Sequence, residues 1–137
     1  MPHLTTYTDG GSRGNPGPMA IGGVVIDDKG KVLKEISEYL GKGTNNQAEY
    51  TALYRTIQEA LKFKPTEIDC YMDSELAMKQ MNGIYKIKDA YLKTMVAKIR
   101  DITQHLPVRY HHVRRERNKH ADRLVNLALD HHIYSAS

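Results

Sequence analysis

The chain has 137 residues, of which 40% are hydrophobic, and carries a formal net charge of +4. This length fits one domain over residues 1–137 with a real core, and the composition excludes a disordered chain. The single cysteine, Cys70, excludes an intramolecular disulfide framework and a multi-cysteine zinc site.

The charge and the lack of targeting signals set expectations about partners and location. A mildly basic chain is compatible with a nucleic-acid partner but does not require one. No apolar run approaches the roughly 20 residues that a membrane-spanning helix needs, and no signal peptide opens the chain. We therefore expect a cytoplasmic protein that does not associate with membranes.

The first part of the chain predicts three strands followed by a helix. Strand-like composition marks residues 4–8, 19–26 and 31–40. A glycine- and proline-rich loop at 10–18 and a turn at 27–30 separate these runs, which favours an antiparallel meander. Apolar residues then recur at helical spacing from Tyr50 to Leu61, and Thr44 with Gln47 fits a capping box at the start of that helix.

The remaining elements alternate between strands and helices. We predict a strand at 67–72, a short helix at 74–81, a helix at 89–104, a fifth strand at 108–113 and a last helix with apolar positions between 121 and 129. Because helical crossovers lead to the fourth and fifth strands, parallel pairing is favoured there. The order β-β-β-α-β-α-α-β-α predicts an α/β fold with a mixed five-stranded sheet flanked by helices.

Four carboxylates lie in separate short motifs of the chain. Asp9 and Asp73 lie where strand-like runs end, whereas Glu49 and Asp122 lie near the starts of helical patterns. If the fold brings these positions together, they form an acidic cluster suited to hard cations such as Mg²⁺. Two such ions can activate a water molecule and stabilise a leaving oxygen.

Each carboxylate also has a simpler structural interpretation. Asp9 before Gly10 is typical of a turn, Glu49 and Asp122 suit the first turn of a helix, and Asp73 with Ser74 suits a helix cap. Only the joint arrangement of the four favours a metal site over these alternatives.

Four motifs resemble those of type 1 ribonuclease H and occur in the order typical of that family. They are residues 7–18 (YTDGGSRGNPGP), 44–49 (TNNQAE), 72–74 (MDS) and 113–124 (VRRERNKHADRL). The resemblance spans nearly the whole chain and implies the ribonuclease H-like fold. It also implies endonucleolytic hydrolysis of the RNA strand of RNA–DNA hybrids with two Mg²⁺ or Mn²⁺ ions, leaving 5′-phosphate and 3′-hydroxyl ends.

The resemblance implies roles for individual residues. It assigns catalysis and metal binding to the four carboxylates, with Asp9 bridging both ions, Glu49 and Asp73 completing one metal site, and Asp122 completing the other. It implies substrate contacts for four polar residues, Asn15, Thr44, Asn45 and Asn46. Amides and hydroxyls of this kind suit the 2′-hydroxyls and minor-groove base edges of a hybrid. The alternatives are that Asn15 is a turn residue and Thr44 only a cap.

Two departures from the family pattern change the expectations. The basic helical protrusion of many bacterial members is absent, so we expect weaker or more salt-sensitive binding. The loop before Asp122 contains arginines where many members have a glycine- and histidine-containing loop, and in this it resembles archaeal-type and plant-like relatives. Arg115 is our preferred substitute for the histidine, because guanidinium binds phosphate bidentately. Its rivals are Glu116, His112 and His120, and a simply solvated loop is the alternative.

The sequence leaves the exact function and the range of substrates open. The main alternative function is a non-catalytic hybrid-binding module of the same fold, and a second is an interaction domain without nucleic-acid affinity. Some archaeal-type relatives also accept RNA–RNA duplexes or RNA–DNA junctions, and the sequence does not decide this breadth. We expect the protein to act as a monomer.

Overall fold

The computed structural model describes residues 2–136, with side-chain surroundings as far as residue 132. Its strands are β1 (His3–Ser12), β2 (Gly17–Ile26), β3 (Val32–Gly43), β4 (Glu67–Met72) and β5 (Val108–His112). Its α-helices are α1 (Asn45–Leu61), α2 (Glu75–Met81), α3 (Ala90–Thr103) and α4 (Lys119–Ala136), and a 3₁₀ turn at Arg115–Arg117 precedes α4. None of these helices is both long and apolar enough to cross a membrane.

The five strands form one mixed sheet in the order β3-β2-β1-β4-β5. Strands β1, β2 and β3 pair antiparallel, whereas β4 pairs parallel with both β1 and β5. The mixed five-stranded sheet predicted from the sequence is therefore confirmed. The parallel pairs place the carboxyl ends of β4 and β5, at Met72 and His112, level with Thr8 in the middle of β1. Sites form at the carboxyl ends of parallel strands in sheets of this kind.

Helices cover both faces of the sheet. The main core lies between the sheet and helices α1, α2 and α3, and includes fully buried Leu4, Ile57 and Ile99. On the opposite face, Val125 and Leu129 of α4 pack against Ala20 of β2. Because side chains alternate between the two faces along a strand, one strand can pack against helices on both faces of the sheet.

Strand β1 is longer than the sequence predicted, and this corrects two expectations. Residues 9–12 continue the antiparallel ladder with β2, with Asp9 opposite Gly22 and Ser12 opposite Met19. Only residues 13–16 remain as a connection, so the predicted loop at 10–18 is wrong over most of its length. Asp9 consequently lies inside a strand and not at its end or in a turn.

The helix starts agree closely with the sequence signals. The Thr44 hydroxyl accepts a hydrogen bond from the backbone of Gln47, whose side chain accepts one from the Thr44 backbone, as the predicted capping box requires. The side chains of Ser74 and Asp89 cap α2 and α3 by accepting from the backbone of Ala77 and Leu92. Since α1 begins at Asn45, Glu49 lies beyond its first turn, which weakens the interpretation of Glu49 as a first-turn acid.

Candidate active site

Two glycines let the helices on opposite faces of the sheet approach the strands at the level of Asp9. A Cβ atom on Gly10 would lie 2.2 Å from the backbone carbon of Ala48 in α1. A Cβ atom on Gly22 would lie 2.1 Å from the backbone oxygen of Ala121 in α4. Ala48 and Ala121 immediately precede the acids of their helices, so these close approaches deliver Glu49 and Asp122 to the same place.

The four carboxylates predicted from the sequence lie together. Oxygens of Asp9, Glu49 and Asp73 fall within 4.8 Å of one another. Asp122 lines the same open cavity of about 390 Å³ as these three residues. Asp73 reaches the cavity because it directly follows β4, which pairs parallel with β1.

Crowding and burial raise the pKa values of two of these acids. Burial is the main cause that raises the pKa of Asp9 from 3.8 to about 7, and the negative charge of Asp73 adds to it. Burial also raises the pKa of Glu49 well above its usual value, again with contributions from Asp9 and Asp73, while a hydrogen bond from the Gly10 backbone partly opposes the change. The site therefore favours a bound positive charge.

The donor set fits a divalent metal ion of the hard class. Three carboxylates offer oxygen ligands within 4.8 Å of one another, and no lysine or arginine forms an ion pair with Asp9, Glu49 or Asp73 in the described part of the chain. Carboxylate oxygens together with retained water are what Mg²⁺ and Mn²⁺ prefer. A cation would also relieve the repulsion that raises the pKa of Asp9.

The four predicted substrate-binding residues surround a second cavity of about 500 Å³. Asn45 and Asn46 line both cavities, so the two adjoin, whereas Asn15 and Thr44 line only the second. The side-chain oxygen of Asn45 accepts from the Ser12 backbone at 2.9 Å, and that of Asn15 accepts from the Asn45 backbone at 3.1 Å. Because the protein uses these oxygens, both side chains are oriented to present their NH₂ groups as donors.

Among the four candidates for the role of the family's histidine, Arg115 alone lines the carboxylate cavity in the described structure. Glu116 belongs to the same 3₁₀ turn and is exposed, and His112 is exposed at the end of β5. His120 pairs instead with Glu35 of β3. The placement favours Arg115 over its rivals, although its role stays a prediction.

Comparisons with known proteins show the family of this chain. A family described as reverse transcriptase-like matches residues 7–128. A ribonuclease H of Chlorobium phaeovibrioides is 33% identical over 142 residues, which cover 92% of this chain and 94% of that protein. The chain belongs to the ribonuclease H family.

Two further proteins are similar to most of this chain, although one of them is much longer. The bifunctional protein Rv2228c of Mycobacterium tuberculosis is 42% identical over 89% of this chain, and the chain spans only 34% of its length. The crystal structure of LC11-RNase H1 in complex with RNA/DNA hybrid has a TM-score of 0.90 and 44% identity, covering 95% of this chain and 99% of that one.

One polar residue beside the carboxylates received no role from the sequence. Asn118 is only 1% exposed, and its side-chain NH₂ donates to the Thr8 carbonyl at 2.9 Å and to the Asp73 carboxylate at 3.2 Å. It belongs to the last ribonuclease H motif, four residues before Asp122. Its position at the start of the last helix was the only sequence signal that pointed to Asn118. Its contact with Asp73 forms only when β4 and α4 come together in the fold, so the sequence does not show it.

Proposed function

We propose that this protein is a metal-dependent ribonuclease H that hydrolyses the RNA strand of RNA–DNA hybrids. The observation that supports this most directly is the group of three carboxylates, Asp9, Glu49 and Asp73, with oxygens within 4.8 Å of one another. The similarity to a protein solved with an RNA/DNA hybrid supports the choice of substrate.

The residues of the site bind metal, position a metal ligand or recognise the substrate. Asp9, Glu49 and Asp73 would hold one divalent cation, and Asp9 with Asp122 would hold a second. Cations bound there would supply an activated water and stabilisation of the leaving oxygen, which suits hydrolysis that leaves 5′-phosphate and 3′-hydroxyl ends. Asn118 holds the Asp73 carboxylate in place through its 3.2 Å hydrogen bond. Such support for a ligand fixes the geometry before substrate arrives.

The second cavity recognises the substrate. The NH₂ groups of Asn15 and Asn45 suit acceptors such as 2′-hydroxyl oxygens and minor-groove base edges. Asn46 and the Thr44 hydroxyl adjoin them. Because Arg115 lines the carboxylate cavity, we assign it to the phosphate of the cleaved RNA strand, where its guanidinium suits charge that develops during the reaction.

Cleavage of a hybrid labelled separately on each strand tests the proposal. We expect Mg²⁺ or Mn²⁺ to support cutting of the RNA strand only, and Asp73→Asn to abolish it because a metal ligand is lost. Glu75→Gln is the matched control, since this exposed acid lies two residues away and pairs only with Lys79 in the described structure. Folded wild-type protein that binds the hybrid but cuts neither strand with either metal would instead support the binding-module alternative.

A further inference from the structure

The segment around the start of α4 is strongly cationic. Residues 114–123 contain five lysines and arginines against two acids, Glu116 and Asp122. Two of the cations, Lys119 and Arg123, are exposed, and no ion pair or hydrogen bond is found for either side chain among the described residues.

Lys119 and Arg123 lie on the side of α4 next to the carboxylate cavity. At 100° per residue, Lys119 and Arg123 fall roughly 60° and 100° from Asp122 on the same flank of the helix. Asp122, Val125, Asn126 and Leu129 of this helix line the cavity, whereas Leu124 is buried against the sheet. Neither cation lines the cavity itself, but this helical geometry places both beside it on the exposed side of α4.

This arrangement is unfavourable for the isolated protein. Lys119 is the first residue of α4, where a positive side chain opposes the helix dipole. Lys119 and Arg123 are four residues apart, a spacing at which like charges repel. The nearby carboxylates offset part of this cost, but that attraction is lost when they are occupied by metal ions. An anionic ligand would then satisfy both cations.

We infer that Lys119 and Arg123 bind backbone phosphates of the nucleic acid beyond the catalytic cavity. The inference rests on the proposed function and extends it, because it adds a second contact region to the substrate surface on the opposite side of the cavity from Asn15 and Thr44. A polymer that places a phosphate at Arg115 continues past α4, and its next phosphates meet these two cations. In a chain without the basic protrusion, this edge supplies positive charge for binding.

Salt dependence of hybrid binding tests the inference. Binding is measured with Mg²⁺ at increasing salt in the Asp73→Asn background, for the parent and for Lys119→Gln/Arg123→Gln. Each phosphate contact contributes roughly 0.9 to the slope of log affinity against log salt, so removing two contacts should reduce the slope by roughly 2. The matched control is Lys29→Gln/Lys31→Gln, which removes the same charge from the exposed turn between β2 and β3.

The outcomes separate this inference from the proposed function. A reduced slope in the α4 variant, with an unchanged slope in the control, supports the inference. Equal slopes in the parent and both variants, or equal losses in both variants, overturn it even if wild-type protein cleaves the hybrid. A melting temperature lowered by the α4 substitutions also overturns it, since the cations would then serve the fold. Wild-type protein that neither binds nor cleaves the hybrid refutes the proposed function itself.

Discussion

The contact between Asn118 and Asp73 links the fold to the site through one side chain. Asn118 is buried, and its NH₂ group joins the Thr8 carbonyl of β1 to the Asp73 carboxylate after β4. A donor at this point holds the Asp73 carboxylate in one orientation, as a metal ligand requires. Asn118 is therefore proposed as a positioning residue, since it contacts the proposed metal ligand Asp73.

Asn118→Ala should lower metal affinity as well as stability. The Thr8 carbonyl loses its buried donor, which costs roughly 1–3 kcal/mol, and Asp73 loses its orientation. We expect weaker Mg²⁺ binding by calorimetry and a reduced kcat measured well below the melting temperature. Thr56→Ala is the control, because Thr56 is fully buried in α1 but away from the carboxylates. Equal losses of metal affinity in both variants would show that Asn118 acts only through stability.

At the scale of elements, the site depends on where α1 and α4 touch the sheet. Gly10 and Gly22 let the backbones of α1 and α4 come close to the sheet on its two faces. In each helix the next residue after the contact is an acid of the site. A helix held further away would carry its carboxylate with it. The absence of two side chains thus determines the spacing between Asp9, Glu49 and Asp122.

Gly10→Ala and Gly22→Ala should each reduce both stability and activity. The added Cβ would lie 2.2 Å and 2.1 Å from backbone atoms of α1 and α4, which cannot move without shifting the helix. Overpacking of this kind typically costs about 1–3 kcal/mol, and we expect a lower melting temperature and weaker Mg²⁺ binding. In Gly11→Ala the nearest atom would be 3.8 Å away, so its stability should stay near that of the wild type. A Gly22→Ala protein with unchanged melting temperature and metal affinity would contradict this account.

The elements also show what the sequence could and could not predict. Helix starts were predictable because their signals are local: Thr44, Ser74 and Asp89 each cap the helix that follows. The extent of β1 was not, because residues 9–12 have turn-like composition and become a strand only by pairing with β2. The four carboxylates were found through their motifs, whereas Asn118 depends on a contact across 45 residues that no local pattern reports.

At the scale of the whole molecule, two groups of carboxylates respond to pH in opposite ways. Asp69 of β4 accepts hydrogen bonds from Arg109 and His111 of β5 and lies 2.5 Å from a ring nitrogen of His3 in β1. The hydrogen bonds from Arg109 are the main cause that holds the pKa of Asp69 well below its usual range. This cluster ties three strands together, whereas the carboxylates of the candidate active site repel one another.

The opposite pKa shifts predict a stability maximum for the metal-free protein in mildly acidic solution. Asp69, whose pKa is lowered, stabilises the fold above its unfolded pKa near 3.8, and this stabilisation is lost as pH falls below that value. Asp9, whose pKa is raised to about 7, favours the fold when protonated, so stability falls as pH rises from about 4 through 7. The pKa shift of Asp9 corresponds to a loss of at most roughly 4 kcal/mol in the free energy of unfolding. Glu49 contributes to the same loss because the two acids interact.

Thermal melts from pH 3 to pH 9, with and without Mg²⁺, measure both limbs of this profile. Asp9→Asn should raise the melting temperature of metal-free protein at pH 8, because it removes a buried charge beside Asp73. The same variant should respond less than the wild type to Mg²⁺, which stabilises the native state by binding to it. Asp69→Asn should lower stability at pH 7 and flatten the loss in acid. A wild-type melting temperature that stays constant between pH 5 and pH 8 without metal, and is unmoved by Mg²⁺ at pH 8, would rule out an ion-binding carboxylate cluster at the edge of this sheet.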